Sequence, residues 1–277
     1  ELQKTIGCKV NFINLTKEGK ITIENVEKAI TKNTKIISIA NITNVLGFYV
    51  DMKPICELAH KHGIVVVCDG AQSVPHIKTD FKGTDIDFIS FSGHKMCGPT
   101  GIGCLIGKYS LLEKMDSFLS GGGMNVSFNK QLVCEEINPP LKFEAGTKPL
   151  EQIMGLRAAV EYLMSIGMDE INAHEKEIRT YALNQMKKLP NVIIYNENGV
   201  GPISFNVKGV FAQDEATLLN SKGIAVRSGL HCAKMLVDFL KTPATVRMST
   251  YLYTTKEEID YFVKALQEGD ILDAFFN

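Results

Sequence analysis

The chain has 277 residues, 45% of them apolar, enough for one large domain or a large domain with a smaller companion. Its 30 Lys and Arg nearly cancel 31 Asp and Glu, which argues against nucleic-acid and polybasic membrane-surface partners. No apolar run nears the ~20 residues that span a bilayer, and Glu1-Leu2-Gln3-Lys4 lacks a basic-then-apolar leader pattern. The β-branched run Thr34–Ala40 predicts a strand. Lys53–His62 predicts a helix with Ile55, Leu58 and Ala59 on one face, ended by Gly63. Ile64–Cys68 is continuously apolar, as expected of a parallel strand buried on both faces. Further strands are predicted over Ile86–Ser92 and Ile102–Ile106. Strand–helix alternation of this kind predicts an α/β domain with a mainly parallel sheet over residues 1–150.

From 151 to 277 the pattern changes. A long helix over Leu150–Ile166 carries Ile153, Leu156, Val160, Leu163 and Met164 at helical spacing, and a charged helix follows over roughly Asp169–Leu189. Short strands are predicted at Val192–Tyr195, Ile203–Val207, Ile224–Arg227 and Thr245–Leu252. Helices are predicted at Gln213–Lys222 and from Thr255 onward. This order predicts a small α+β domain. The seven cysteines (Cys8, Cys56, Cys68, Cys97, Cys104, Cys134, Cys232) are odd in number and include no CxxC pair. The expectation is a reduced, cytoplasmic protein in which most of them are small core residues, with Cys68 and Cys104 in buried strands.

Open α/β sheets bind ligands beyond the carboxyl ends of their strands. Asp69 ends one predicted strand and Ser92-Gly93-His94-Lys95 ends the next, followed by the tight Gly98-Pro99-Thr100-Gly101 connection. An acid and a lysine at one sheet edge suit pyridoxal 5′-phosphate (PLP). The aldehyde needs a shielded amine, and the ring nitrogen needs a carboxylate to stay protonated. Asp69 is then the ring-nitrogen partner and Lys95 the Schiff-base residue. Gln72 stands within reach of the phenolic oxygen, and Ser92 and His94 offer donors for the phosphate. Taken singly, a strand-end Asp is usually a cap and a Lys usually surface; the pairing is what points to a site.

Asp69-Gly70-Ala71-Gln72-Ser73 and Phe91-Ser92-Gly93-His94-Lys95-Met96-Cys97-Gly98-Pro99-Thr100-Gly101 resemble the cysteine desulfurases and selenocysteine lyases of the class V aminotransferase family. So do Asn44-Val45-Leu46-Gly47, Phe143-Glu144-Ala145-Gly146-Thr147, and Val226-Arg227-Ser228-Gly229-Leu230-His231-Cys232-Ala233. The five segments stand in the family's order. The resemblance implies a type I PLP-dependent transferase fold. Asn44 faces cofactor and substrate, and Thr147 reaches the phosphate of a partner subunit in a homodimer. Arg247 clamps the substrate carboxylate, for which an arginine fork is better shaped than an ammonium. Freed from the aldehyde, Lys95 shuttles the α-proton. Cys232 attacks the sulfur of L-cysteine, or the selenium of L-selenocysteine, and alanine leaves; a sulfur-acceptor protein would take the persulfide onward. Thiolate formation is expected to draw on His231 and Arg227 nearby in sequence. Arg227, in the predicted strand before the loop, is the weaker site candidate.

The chain departs from the family pattern in places. Asn41 stands where the family often has His, and Lys234-Met235 stands where many members have Pro or Gln. Family members also carry a segment ahead of the position matching Glu1, with a phosphate-holding loop and a ring-stacking histidine. The expectation is therefore an N-terminally truncated chain with exposed apolar sheet surface and weakened PLP binding. Cysteine desulfurase is the leading reading. The alternatives are selenocysteine lyase, another class V enzyme in which Cys232 is incidental, and a non-catalytic dimerising remnant.

Overall fold

A computed structural model of the protein describes residues 1–128, 130 and 134–268. Two short helices, α1 (Leu2–Ile6) and α2 (Ile23–Ala29), lead into the first sheet. It comprises β1 (Ile36–Ala40), β2 (Val65–Asp69), β3 (Phe88–Ser92) and β4 (Gly103–Gly107), side by side in that order. β1, β2 and β3 run parallel, with Ala40 beside Asp69 and Asp69 beside Ser90; β4 returns antiparallel to β3. The three parallel strands therefore release their chains at one edge.

Between β1 and β2 lies α3 (Met52–Lys61). Asp51 caps it by accepting from the Lys53 N–H, and Gly63 leaves it at φ 66°, a conformation that costs glycine nothing. Met52, Ile55, Cys56 and Ala59 are buried, the three- and four-residue spacing of one helix face turned to the sheet. The expectation that β2 is buried on both faces is corrected. Val66 and Cys68 are buried, whereas Val65 and Val67 are only half-buried, and on β1 Ile36 is 62% exposed. The core cluster formed with α2 and α3 covers one face of these strands. The cysteine expectation is corrected as well. Among the described side chains only Cys56 and Cys68 are buried; Cys104 is half-buried, and Cys97 and Cys232 are exposed.

The amino end of β3 is secured by a buried charge network. Asp87 is 4% exposed and accepts from the Val66 N–H at 2.7 Å, from Lys108 Nζ at 2.8 Å and from His60 Nε2 at 2.9 Å. Burial, the strongest influence on it, raises its pKa. Lys108, the Val66 N–H and His60 outweigh burial and hold it below the ordinary value. Asp87→Asn should cost about 1–3 kcal/mol at pH 7, because it removes the buried charge on which three donors converge and leaves Lys108 and His60 only the exposed Asp85 as an ionic partner. A depressed carboxylate stabilises fully above its unfolded pKa, about 3.9. That contribution fades as pH falls through the depressed folded value. Urea unfolding at pH 7 and at pH 3 should show the variant's deficit shrinking at the lower pH.

After β4 come α4 (Tyr109–Leu112) and the hairpin of β5 (Asn125–Phe128) and β6 (Cys134–Glu136). The helices α5 (Leu150–Ile166) and α6 (Met168–Met186) lead to a second, fully antiparallel sheet. Its strands are β7 (Val192–Ile194), β8 (Ile203–Val207), β9 (Arg227–Gly229) and β10 (Thr245–Met248), ordered β7-β8-β10-β9. α7 (Ala212–Ser221), α8 (Lys234–Phe239) and α9 (Lys256–Glu268) complete this half. Its own core gathers Met186, Phe205, Leu219, Val246 and Phe262. α9 opens on a reciprocal cap: Glu258 N–H donates to Thr255 Oγ1, and Thr255 N–H donates to Glu258 Oε2.

Two predicted strands are corrected here. The one expected at Ile224–Arg227 begins only at Arg227, because the Ile224 N–H is spent on Leu219 O, closing the turn that ends α7. The strand expected to reach Leu252 stops at Met248. Tyr251 N–H donates to Thr254 Oγ1 and Thr254 N–H to Tyr251 O, which folds that stretch into a turn. On α5 the buried face is Leu156, Ala159 and Leu163, while Ile153 and Met164 lie exposed. Among the described residues no helix is long and apolar enough to cross a membrane.

Candidate active site

The carboxyl edge of the first sheet collects the predicted residues. Asn44 follows β1, Asp69 to Gln72 follow β2, and Ser92, His94 and Lys95 follow β3. Lys95 closes a single 3-10 turn, Gly93–Lys95. The turn is wound tightly: Met96 N–H and Gly98 N–H both donate to Gly93 O, and Gly93 N–H donates to Ile102 O. A Cβ on Gly98 would stand 2.8 Å from Gly93 O, so a glycine is required where the loop doubles back. Asp69 Oδ1 accepts from the Ala71 N–H at 2.9 Å, which folds the next residues over the strand end. The side chains of Gln72, Ser92, His94 and Lys95 make no hydrogen bond among the described residues. Four polar side chains with unspent donors thus sit beside an exposed carboxylate.

The second sheet brings the cysteine loop to the same edge. Arg227 on β9 is the direct cross-strand partner of Arg247 on β10. Two guanidinium-bearing residues paired in this way repel unless an anion joins them. Arg227 Nη2 lies 3.7 Å from Cys232 Sγ, so a sulfur anion would meet a cationic donor. Arg247 is half-buried and donates from Nη1 to Asn44 O at 3.1 Å; its buried Nε has no acceptor among the described residues. Burial foremost, then Arg227, lowers its pKa, yet an arginine remains cationic. Asn44 Nδ2 in turn donates to His231 O at 2.6 Å. Asn44 is thereby a bridge between the two sheets, reaching both the arginine and the cysteine loop.

Beside it, Asn196 Nδ2 donates to Leu46 O and Pro202 O, and Ser204 Oγ to Val45 O. Gly47, at φ 61°, lies so close to Gly201 that a Cβ would stand 2.9 Å from its nitrogen. Further along, Tyr251 donates its hydroxyl to Pro75 O, and His76 Nδ1 lies 3.0 Å from Glu175. The loop after Asp69 is thus tied to α6 and to the turn beyond β10.

His231 departs from expectation. It is 2% exposed, and burial above all pushes its pKa down, with Arg247 and Arg227 adding to the effect. It adds no positive charge beside the thiol; that charge comes from Arg227, the residue ranked lower from sequence. His231 and Cys232 both adopt left-handed backbone, φ 50° and 61°. Each such non-glycine residue costs about 1–2 kcal/mol, which the surrounding contacts must offset. Thr147 stands exposed after Gly146, and among the described residues no hydrogen bond ties it to the rest of the cluster.

A strand-end carboxylate and lysine thus share a sheet edge to which Asn44 ties an arginine and the cysteine loop of the second sheet. The family model for aminotransferase class-V matches residues 1–262, and the chain belongs to that family. A probable cysteine desulfurase of Halalkalibacterium halodurans is 44% identical over 269 residues, 97% of this chain and 66% of its own. One from Staphylococcus aureus is 43% identical over 271 residues, 97% of this chain and 65% of its own. The chain thus spans about two thirds of the length of these curated relatives. Among solved structures, a cysteine desulfurase of Escherichia coli in an S-sulfonic acid form superposes with a TM-score of 0.92 at 34% identity. It covers 98% of this chain and 67% of its own. An apo cysteine desulfurase of Thermococcus onnurineus gives 0.91 at 32% identity, covering 96% and 67%. The fold is that of the type I PLP-dependent transferases.

Proposed function

We propose that the protein is a PLP-dependent cysteine desulfurase, which moves sulfur from L-cysteine to Cys232 and releases L-alanine. One observation carries this reading. Cys232 Sγ lies against Arg227, opposite Arg247, and Asn44 ties both to the edge that bears Asp69 and Lys95. The names of the relatives point the same way. The donor set fits PLP. Asp69 offers a carboxylate for the ring nitrogen, Lys95 an amine for the aldehyde, and Gln72, Ser92 and His94 offer unspent donors for the phenolic oxygen and phosphate. Bound there, PLP supplies the electron sink that lets the substrate's Cα–H and Cβ–S bonds break.

The chain's own residues do the rest. Arg247 takes the substrate carboxylate through its guanidinium, and Asn44 keeps that guanidinium in register. Lys95 removes the proton from Cα and later returns one. Cys232 Sγ bonds to the substrate sulfur as the Cβ–S bond breaks. The electron pair of the broken bond stays with the carbon fragment, which takes up a proton and departs as alanine. The persulfide is left on an exposed loop, open to a sulfur-acceptor protein. The exposure of Thr147 supports a homodimer in which that residue serves the neighbouring site. The separate core of the second sheet supports a division into domains at 1–150 and 151–277. Free, exposed Cys97 and Cys232 support a reducing compartment such as the cytoplasm.

The reading is tested by supplying PLP and L-cysteine. Alanine should appear in step with sulfur carried on Cys232, detected as added mass on its peptide. Alanine formation that requires an oxo-acid partner would replace it with an aminotransferase, and alanine formed from cysteine with Cys232 left unmodified would make Cys232 incidental. Arg247→Lys provides a sharper test, because it keeps the charge and loses the fork. The half-saturating cysteine concentration should rise about 10- to 100-fold, the size of a charge-assisted hydrogen bond to a carboxylate. Sulfur transfer at saturation should change far less. A fall in saturated rate alone would place Arg247 elsewhere in the reaction.

A further inference from the structure

We infer that the His231 imidazole is the positioning residue of the Cys232 thiol: it locks the cysteine loop to β10 as a neutral ring and takes no part in proton transfer. The inference deepens the proposed function and rests on Cys232 being the nucleophile. His231 Nε2 lies 2.9 Å from Thr245 O and 3.0 Å from Thr245 Oγ1. A carbonyl only accepts, so Nε2 carries the hydrogen. In the neutral ring Nδ1 is then a bare lone pair, and it is buried with no partner among the described residues. Protonating it would create a buried N–H with nothing to receive it, beside two guanidinium groups. The ring is built to stay neutral.

What the ring holds follows from the register. Thr245 stands opposite Gly229 in the β10–β9 ladder, so the His231 ring returns the chain to the strand it has just left. From the other side Asn44 Nδ2 grips the His231 carbonyl. The residue is thus held by its side chain and its backbone at once. This double hold sustains left-handed backbone at two successive non-glycine residues. With residue 231 fixed, Cys232 can point only where the loop directs it, to Arg227. Ala233 N–H to Leu230 O, at 2.8 Å, closes the same turn and reports on it.

Two isosteres separate anchoring from proton transfer. The amide nitrogen of His231→Gln reaches the place of ring Nε2 and can donate to Thr245 O, whereas the shorter amide of His231→Asn stops near Nδ1. Two measurements are made on each: hydrogen exchange across residues 230–234, and the single-turnover rate of persulfide formation against L-cysteine concentration. His231→Gln should stay within about threefold of wild type in both, since the anchoring hydrogen bond remains. In His231→Asn the Ala233 amide should exchange about tenfold faster or more, and persulfide should form about tenfold more slowly, as expected for a lost buried hydrogen bond. Half-saturating cysteine should remain unchanged, because Arg247 is intact. An Asn variant that exchanges and reacts like wild type overturns the inference. So does a Gln variant as slow as the Asn variant, which would make the ring a proton carrier. Absence of any persulfide in the wild type would instead count against the desulfurase reading. The exchange comparison would still decide the anchor.

Discussion

Cys232→Ala is expected to lower sulfur release from L-cysteine by about 10³-fold or more, because it removes the thiol that lies against Arg227 to receive the sulfur. The loop should keep its shape. Alanine tolerates the left-handed conformation no worse than cysteine, the side chain is exposed, and the Ala233-to-Leu230 bond does not involve the thiol. Stability should therefore move by no more than about 0.5 kcal/mol, and any loss of turnover reports chemistry. Cys97 supplies the control. It too is an exposed thiol and lies two residues from Lys95, but no guanidinium is hydrogen-bonded to it among the described residues. Cys97→Ala should keep close to full turnover. Alanine and sulfide measured together separate the alternatives. If Cys232→Ala loses cysteine desulfuration and retains selenocysteine cleavage, the site also handles the better leaving group without a nucleophile. If desulfuration persists undiminished, Cys232 is incidental and the protein is another kind of class V enzyme.

The two halves of the site were unequally legible in the sequence. Asp69 and Lys95 could be placed from pattern alone, because apolar runs locate strand ends and a parallel sheet gathers those ends at one edge. The cysteine loop could not be placed that way. Its position depends on Asn44, Asn196 and Ser204, which lash β1's outgoing loop to a second sheet more than 150 residues later in the chain. Such contacts leave no periodic trace. The weight of Arg227 is hidden from the sequence for a related reason. A predicted strand ending at Arg227 hides the fact that it begins one, and only the β10–β9 register sets it against Arg247. His231 reads as a source of positive charge in sequence, which shows its neighbours and not its burial. The half-covered face of β2 escapes the sequence because a run of valines says that a strand is apolar, not how many layers pack on it.

Lys95→Ala should be the most damaging single change, with turnover lower by about 10⁴-fold or more, since one side chain serves as both anchor and proton carrier. Nothing in the fold opposes the substitution. Lys95 Nζ has no acceptor among the described residues, and the 3-10 turn is held by backbone bonds from Met96 and Gly98 to Gly93 O. The same freedom gives the residue its use. An amine spent on an ion pair could neither leave a carbonyl nor take a proton, whereas this one stands on a rigid loop with its head uncommitted. Two readouts divide its roles. Retention of PLP through desalting measures the anchor, and exchange of the substrate α-hydrogen with solvent measures the proton carrier. Both should fail in Lys95→Ala. Added methylamine can replace an amine as proton acceptor but cannot tether the cofactor. It should restore part of the hydrogen exchange when PLP is supplied in excess and leave retention unrepaired. Hydrogen exchange that persists in Lys95→Ala with PLP in excess and no methylamine would assign the proton transfer to another group, with His94, one residue away on the same turn, as the nearest in sequence.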